Sequence, residues 1–214
     1  MRKLAAGLAT TAALALVAAA PGTAAAHGTK QRPLGEKSLA QVLLSDGNQF
    51  DRNWHDYDIV TEAALAVLAA KPGSAVKVLT DGSTPVTAFI PNDKAFKKLA
   101  QAIPGKNPKT EREVFNTVAG LGIDTVETVL LYHVVPGATV TFKQAIRSNG
   151  AKLTTAQGGT VEVAARGWWY KGLRLIDKDP NARNARVNRP DVNKGNKQIA
   201  HGVDRVLRPL DLPF

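Results

Sequence analysis

Leu130-Leu131-Tyr132-His133-Val134-Val135-Pro136-Gly137 is the stretch at which the sequence pattern changes from helical to β. Upstream of it, apolar residues recur three and four positions apart, as in helices that bury one face. Downstream, short β-rich runs are separated by glycine, asparagine and aspartate, which is typical of strands and turns. Because helices dominate the first two thirds of the chain and strands the last third, this order predicts an α+β fold rather than alternating βαβ units.

Helix starts are marked by side chains that can cap the first turn, and Pro-Gly pairs mark several helix ends. The predicted caps are Ser38 with Gln41, Asp58, Asn92, Thr110 with Glu113, and Asp124 with Glu127. The predicted strands are residues 75–79, 85–90, 160–163, 173–176, 185–187 and 198–206.

The N-terminus has the pattern of a secretory signal peptide. Arg2-Lys3 is a basic start, residues 4–20 are almost entirely apolar, and Ala24-Ala25-Ala26 supplies the small residues of a cleavage site. We therefore expect a signal peptide at 1–26, a disordered lead at 27–37 and one domain at 38–214. The chain has no cysteine, so its stability must come from packing rather than from disulfides. The expected location is secreted or extracellular, either free or held to the envelope non-covalently.

Three segments, in this order, are similar to the motifs of the fasciclin-like domain family. They are Val86-Thr87-Ala88-Phe89-Ile90-Pro91-Asn92-Asp93-Lys94-Ala95-Phe96, Tyr132-His133-Val134-Val135-Pro136-Gly137 and Ala200-His201-Gly202-Val203-Asp204-Arg205-Val206-Leu207-Arg208-Pro209. The positions that carry the resemblance, with an expected structural role, are Phe89, Pro91, Asp93, Phe96, Tyr132, His133, Gly137, His201, Asp204, Val206 and Pro209.

The resemblance implies a compact α+β fold with two small packed β-sheets and helices along one edge. It also implies an extracellular or envelope-associated module for adhesion or matrix contact, and not an enzyme. The chain departs from the family pattern at Ala200 and Gly202, where larger apolar residues are usual, so we expect a loosely packed strand there. Asp204 is followed by Arg205, so the Asp-Ile pair of integrin-binding members is not reproduced and that activity is not carried over.

The histidines allow structural and functional interpretations. His133 and His201 are expected to be buried and hydrogen-bonded to backbone, the alternative being a ligand contact or a pH switch. Cleavage after Ala26 would leave His27 as the first residue, as in copper-dependent polysaccharide monooxygenases, where the terminal amine and imidazole chelate copper. The flexible lead is a poor support for such a centre.

No catalytic, cofactor-binding or metal-ligating set is predicted. The sequence lacks cysteine, a Gly-x-Ser-x-Gly elbow, a His-Glu-x-x-His zinc motif and a phosphate-binding glycine loop. The carboxylate pairs Asp56 with Asp58, and Asp177 with Asp179, are interpreted as surface patterns rather than as acid/base dyads.

The last third of the chain is strongly basic within a protein of formal net charge +10. Such a face attracts polyanions, and aromatic residues inside it can stack on sugar rings. The candidate polyanion surface is Arg166, Trp168, Trp169, Lys171, Arg183, Arg186 and Arg189. The alternative is a solvated β surface with one tryptophan in the core. Expected partners are anionic wall polymers, acidic polysaccharides or surface proteins; nucleic acid is not expected.

The sequence therefore predicts a secreted, non-catalytic binding or adhesion module. Two alternatives stay open: a copper-dependent oxidase built on His27, and a structural surface protein that self-associates through its apolar helices. Ligand identity and oligomeric state are not predicted.

Overall fold

The computed structural model describes residues 32–47, 50–166 and 172–210, and its compact unit spans Pro33–Phe214. The helices of the described residues are α1 Leu39–Leu43, α2 Asp58–Ala70, α3 Asp93–Ala102, α4 Glu111–Ala119, α5 Ile123–Tyr132 and α6 Phe142–Ala145, with 3₁₀ turns at Leu44–Asp46 and Ala75–Thr80. The strands are β1 Val86–Pro91, β2 Val134–Pro136, β3 Lys152–Thr154, β4 Thr160–Arg166, β5 Gly172–Ile176, β6 Ala185–Val192 and β7 Gln198–Val203.

The strands hydrogen-bond in the continuous order β2-β1-β7-β6-β5-β4-β3, in which β1 and β7 are parallel and the other neighbours antiparallel. The junction between β5 and β6 consists of the pairs Arg174–Arg186 and Leu175–Ala185. This junction joins β2, β1, β7 and β6 to β5, β4 and β3 in one continuous order, where the family resemblance implied two small packed sheets. The α+β class is confirmed.

The core lies where the helices cover the central strands. Every residue of β1 and β7 is buried. This explains why neither strand shows the alternation of apolar and polar residues that is typical of a strand with one exposed face. The largest apolar cluster joins α1 to α5 to the helix-facing side of these strands. A second cluster includes Phe89, Tyr132 and Leu175 and lies between the two groups of strands. Helix α6 covers Val163 and Leu173 on the inner side of β4 and β5.

Local sequence signals gave most helix starts correctly. Ser38 with Gln41 and Thr110 with Glu113 form complete capping boxes, and the Asn92 side chain accepts the Ala95 N–H at 3.0 Å. The cap predicted at Asp124 is wrong, because α5 starts at Ile123 after Gly122, whose φ is +92°. Asp124 instead forms an ion pair with Lys71, together with Glu127.

The strand predicted at 75–79 is also wrong, since these residues form a 3₁₀ turn, Ala75–Thr80. The Ser74 hydroxyl accepts the Val76 N–H at 3.2 Å and caps the turn, while the Val76 side chain is fully buried in the main core. Burial among helices therefore overrides the β preference of the valines.

Part of the predicted lead lies against the folded unit. The Gly35 N–H donates to the Gly195 carbonyl at 2.8 Å, and the Lys37 N–H donates to the Asn196 side chain at 3.0 Å. The boundaries given for the signal peptide, lead and domain stay predictions. In the described part of the chain no single helix has the length and apolarity to cross a membrane, and only α4 and α5, which meet at a 104° bend, pass that test as a pair.

The expected looseness around Ala200 and Gly202 is not what the structure shows. Ala200 is fully buried, and a Cβ on Gly202 would lie 2.2 Å from Tyr57 Oη and 2.9 Å from Arg189 Cβ. The absence of a side chain at Gly202 thus makes room for the Tyr57 hydroxyl.

We expect Gly202→Ala to lower the free energy of unfolding by about 1–3 kcal/mol, because the added methyl overpacks this contact. Urea denaturation measures the loss. Gly73→Ala is the matched control, since a Cβ there meets nothing within 4 Å. Equal stability of wild type and Gly202→Ala would contradict the close approach of Tyr57.

Candidate functional site

The Tyr132-His133 corner is a structural junction with every polar ring atom of both residues hydrogen-bonded. His133 is buried; its Nδ1–H donates to the Val129 carbonyl at 2.7 Å, and its Nε2 accepts the Leu207 N–H at 2.8 Å. The Tyr132 hydroxyl donates to the Thr160 carbonyl at 2.7 Å. The corner therefore connects α5, β4 and the closing segment of the chain. Burial lowers the pKa of His133 to about 4, so the ring is neutral in the folded protein.

His201 has an equivalent role on the central strand β7. Its Nε2–H donates to the Val140 carbonyl at 2.8 Å, and its Nδ1 accepts the Asp191 N–H at 3.2 Å. The ring stacks on Phe89 with centroids 5.9 Å apart. Burial lowers the pKa of His201, so this histidine is neutral as well.

The other positions of the family motifs also build the fold. Phe89, Phe96 and Val206 are buried in the core, and Pro91 pairs with Val203 at the end of the parallel ladder. Gly137 adopts a φ of +80° and its N–H donates to the Pro85 carbonyl at 2.9 Å. Asp204 accepts the Arg186 N–H at 2.7 Å, and Pro209 follows in the closing segment.

The neutral state of His133 makes stability depend on pH. Its pKa rises from about 4 in the folded protein to the ordinary 6.5 on unfolding, so its contribution is complete above pH 6.5 and is lost as pH falls to 4. We expect wild type to lose about 3 kcal/mol relative to His133→Gln over this window. The titration of the carboxylates does not contribute to this difference, because both proteins contain the same carboxylates. Urea denaturation at pH 4.0, 5.0 and 7.0 measures the free energy of unfolding of both proteins. If the two free energies change with pH in parallel, the His133 ring is not buried in a neutral state.

The outward side of β3 to β6 carries a row of charged side chains, here called the outer β face. Leu173, Leu175 and Ala185 are buried on the inner side, so alternation places Arg174 and Arg186 outward. These two arginines are direct cross-strand partners. Lys152 and Glu162 form another outward pair, one strand further along.

The arginine pair is electrostatically uncompensated among the described residues, because no carboxylate lies within ion-pair distance of either guanidinium. Like charges at directly opposite positions of a sheet destabilise it. An anion placed between them would remove that repulsion, so the pair is suited to bind one.

A basic cleft of about 30 Å³ lies beside this face and is lined by Ala95, Lys98, Leu99, Ala182, Arg183, Arg205, Val206 and Arg208. Asp204 links the two regions, because its carboxylate accepts the Arg186 N–H and its carbonyl accepts a hydrogen bond from Lys98 Nζ at 2.8 Å. Burial, and then the charge of Arg205, lower the pKa of Lys98 despite the opposing effect of Asp204. In this cleft Lys98 is paired with Asp204 and Arg208 with Asp179. Arg183 and Arg205 form no ion pair with a described carboxylate and add positive charge beside the outer β face.

The three members of the predicted polyanion surface with described side chains, Arg183, Arg186 and Arg189, lie in different surroundings. Arg186 lies on the outer β face and Arg183 in the basic cleft, whereas Arg189 lines a different cleft with Asp51, Asp56 and Asp58. The Arg189 guanidinium lies 5.8 Å from the Tyr57 ring. Arg166 ends β4 opposite Gly172, but its side chain is outside the described part of the structure, as are Trp168, Trp169 and Lys171 entirely.

Sequence reasoning missed Lys98 and Lys152, because both precede the basic third of the chain. The alternation Leu173-Arg174-Leu175 could have identified Arg174 as an outward residue. The interpretation of Asp177 and Asp179 as surface carboxylates is wrong for Asp179, which is buried and accepts a hydrogen bond from Arg208 Nη1 at 2.8 Å. Asp58 is likewise buried at the start of α2.

Comparisons with known proteins agree with this architecture. Residues 61–209 match the sequence model of the Fasciclin domain, which is more than half of the chain. Among solved structures, the chain is similar to a FAS1 domain pair from the insect cell adhesion molecule fasciclin I, with a TM-score of 0.55 and 16% sequence identity. That match covers 81% of this chain and 51% of the insect chain, so this chain spans about half the length of the domain pair. No curated protein matches the chain.

Proposed function

Because this chain belongs to the fasciclin domain family, we propose that it is a secreted, non-catalytic module that binds anionic polymers of the cell envelope or matrix. Fasciclin domains are in general adhesion and binding modules of extracellular or cell-surface proteins, and the family is generally non-enzymatic. The signal-peptide pattern of residues 1–26 supports export.

The observation that carries the proposal is the arginine pair Arg174 and Arg186 on the outer β face. Two cations at directly opposed positions, with no carboxylate partner among the described residues, keep their full attraction for an external anion. A structural ion-pair network would instead place acidic side chains between them.

The geometry favours a polymer over a small anion. The outer β face is an open strand surface, whereas the basic cleft beside it is only about 30 Å³. A chain that carries repeated phosphate, sulfate or carboxylate groups can place one group at the arginine pair and another at the cleft. Binding at several weak sites on one polymer raises the overall affinity without a deep pocket.

Retention of the purified protein on anionic wall polymers and acidic polysaccharides, across a salt series, tests the proposal. We expect retention at 50 mM salt and release by 500 mM, since screening becomes strong within a few ångströms at high ionic strength. A neutral polysaccharide is the control and should retain little protein. Absence of retention on every anionic polymer at 50 mM salt would contradict the proposal. Polymer oxidation with copper and a reductant would favour the oxidase alternative built on His27, and concentration-dependent assembly without polymer binding would favour self-association.

A further inference from the structure

A second candidate ligand site is a group of three carboxylates, two of them buried and one half-buried, here called the carboxylate triad. Asp56 precedes α2, Asp93 is the first residue of α3, and Glu111 is the first residue of α4. One oxygen from each of the three lies within 4.8 Å of the others. Asp93 is fully buried and Glu111 is 2% exposed.

Backbone N–H groups bind one oxygen of Asp93 and one oxygen of Glu111. Asp93 Oδ1 accepts the Ile59 N–H at 3.0 Å, and Glu111 Oε2 accepts the Arg52 N–H at 2.9 Å. The N-terminal ends of α3 and α4 also favour negative charge in their first turns. These contacts fix one oxygen of each of the two side chains and leave the second oxygen, Asp93 Oδ2 or Glu111 Oε1, without a backbone donor.

Those second oxygens have no hydrogen-bond donor. Within the described residues, the buried side-chain atoms without a partner are Asp56 Oδ1, Asp93 Oδ2 and Glu111 Oε1, and they all belong to the triad. No lysine, arginine or histidine side chain of the described residues forms an ion pair with any of the three. Buried carboxylates in this state carry a large desolvation cost unless a cation joins them.

A proton can relieve only part of this repulsion. One proton shared between Asp56 and Asp93 would remove the repulsion between those two carboxylates. That proton leaves Glu111 Oε1 without a partner. A single divalent ion in contact with one oxygen of each residue offsets the charge of all three carboxylates at once. The spacing of the triad allows this, because oxygens on a shared calcium ion at 2.3–2.6 Å lie no more than about 5 Å apart.

Asp56 connects the triad to a surface cleft. A cleft of about 530 Å³ is lined by Asp51, Asn53, Asp56 and Asp58, among other residues, and Asp56 belongs both to this cleft and to the triad. Asp51, Asp56 and Asp58 also place one oxygen each within 4.8 Å of one another. The outer carboxylates can therefore attract a cation and pass it to the buried group through Asp56.

We propose that Asp56, Asp93 and Glu111 bind one divalent cation of the calcium class, which ties the starts of α3 and α4 to the loop before α2. Carboxylate oxygens are the ligands preferred by calcium, and water molecules from the cleft complete its coordination. The ion stabilises the helical layer of the fold and leaves the outer β face, on the strands, unchanged.

The test is thermal unfolding and isothermal titration calorimetry of the purified protein, first stripped with EDTA and then titrated with calcium chloride at pH 7.5. We expect one ion per chain and a rise in Tm of about 5 °C or more at a 100-fold excess over Kd. Magnesium chloride at the same ionic strength should have a smaller effect, because magnesium demands stricter octahedral geometry. If calcium changes neither Tm nor the heat of mixing, the proposal is overturned and the triad is held by protons alone.

Two variants locate the ion. Glu111→Gln keeps the size of the side chain and should weaken calcium binding at least 10-fold, whereas Asp51→Asn changes only the outer carboxylates and should weaken it less than 3-fold. The reverse ranking would place the ion in the outer group and overturn the assignment to the triad. If Glu111→Gln does not fold, the calcium titration of the wild-type protein still tests whether the ion binds.

Discussion

Replacing His133 by alanine should lower the free energy of unfolding by about 4 kcal/mol. The ring is 4% exposed and makes two hydrogen bonds to backbone groups. Its removal therefore leaves a cavity and leaves the Val129 carbonyl and the Leu207 N–H without their hydrogen-bond partner. These groups belong to α5 and to the closing segment, which the ring holds together. A loss of this size approaches half of the stability of an ordinary domain.

The matched control is His55→Ala, because the His55 side chain is exposed and its removal should change stability by less than about 0.5 kcal/mol. Urea denaturation gives the free energies, and retention on an anionic polymer gives binding below the unfolding transition. We expect His133→Ala to bind the polymer normally once folded. Abolished binding with unchanged stability would instead make His133 a ligand contact.

Reversing the charge of the arginine pair should have the largest effect on binding. Arg174→Glu with Arg186→Glu replaces two attractions by two repulsions, so we expect affinity for an anionic polymer at 50 mM salt to fall about 30-fold. The loss should shrink as salt rises, because the contacts are exposed and screened. Stability should change little, since the substitution exchanges one pair of exposed like charges across the strands for another.

Lys143→Glu with Arg147→Glu is the control for net charge. Both residues are exposed on or just after α6, which covers the inner side of β4 and β5, so the same charge change is made away from the outer β face. We expect the affinity for the polymer to fall less than about 3-fold, because only the long-range electrostatic attraction from the net charge of the protein is reduced. Equal losses for the two double variants would mean that net charge, and not the outer β face, decides binding.

What the sequence predicted correctly depends on contacts between near neighbours. The capping boxes at Ser38 and Thr110 join residues three positions apart, and the change of pattern at Tyr132-His133 marks a real helix-to-strand corner. The family motifs gave the fold for the same reason, because each motif is a short continuous segment. Residues 75–80 were assigned wrongly because their conformation is set by burial of Val76 among distant helices.

The candidate sites depend on pairings between distant segments, which the sequence pattern does not give. Arg174 faces Arg186 only through the register of β5 and β6, and Lys98 meets Arg183 only because α3 packs beside the end of β7. The carboxylate triad brings together three segments that no spacing rule connects. The basic composition of the last third predicted that Arg183, Arg186 and Arg189 share one surface, but Arg189 lines a cleft with three aspartates.

The most direct measurement of the central claim is an NMR titration of the ¹⁵N-labelled protein with a short anionic oligosaccharide at 50 mM salt. We expect the amide shifts to change along β5 and β6 around Arg174 and Arg186 and at Lys98 in the basic cleft, and we expect these changes to vanish at 500 mM salt. Shift changes confined to the helical layer, or to the cleft around Arg189 and Asp58, would contradict the assignment of the outer β face as the binding surface.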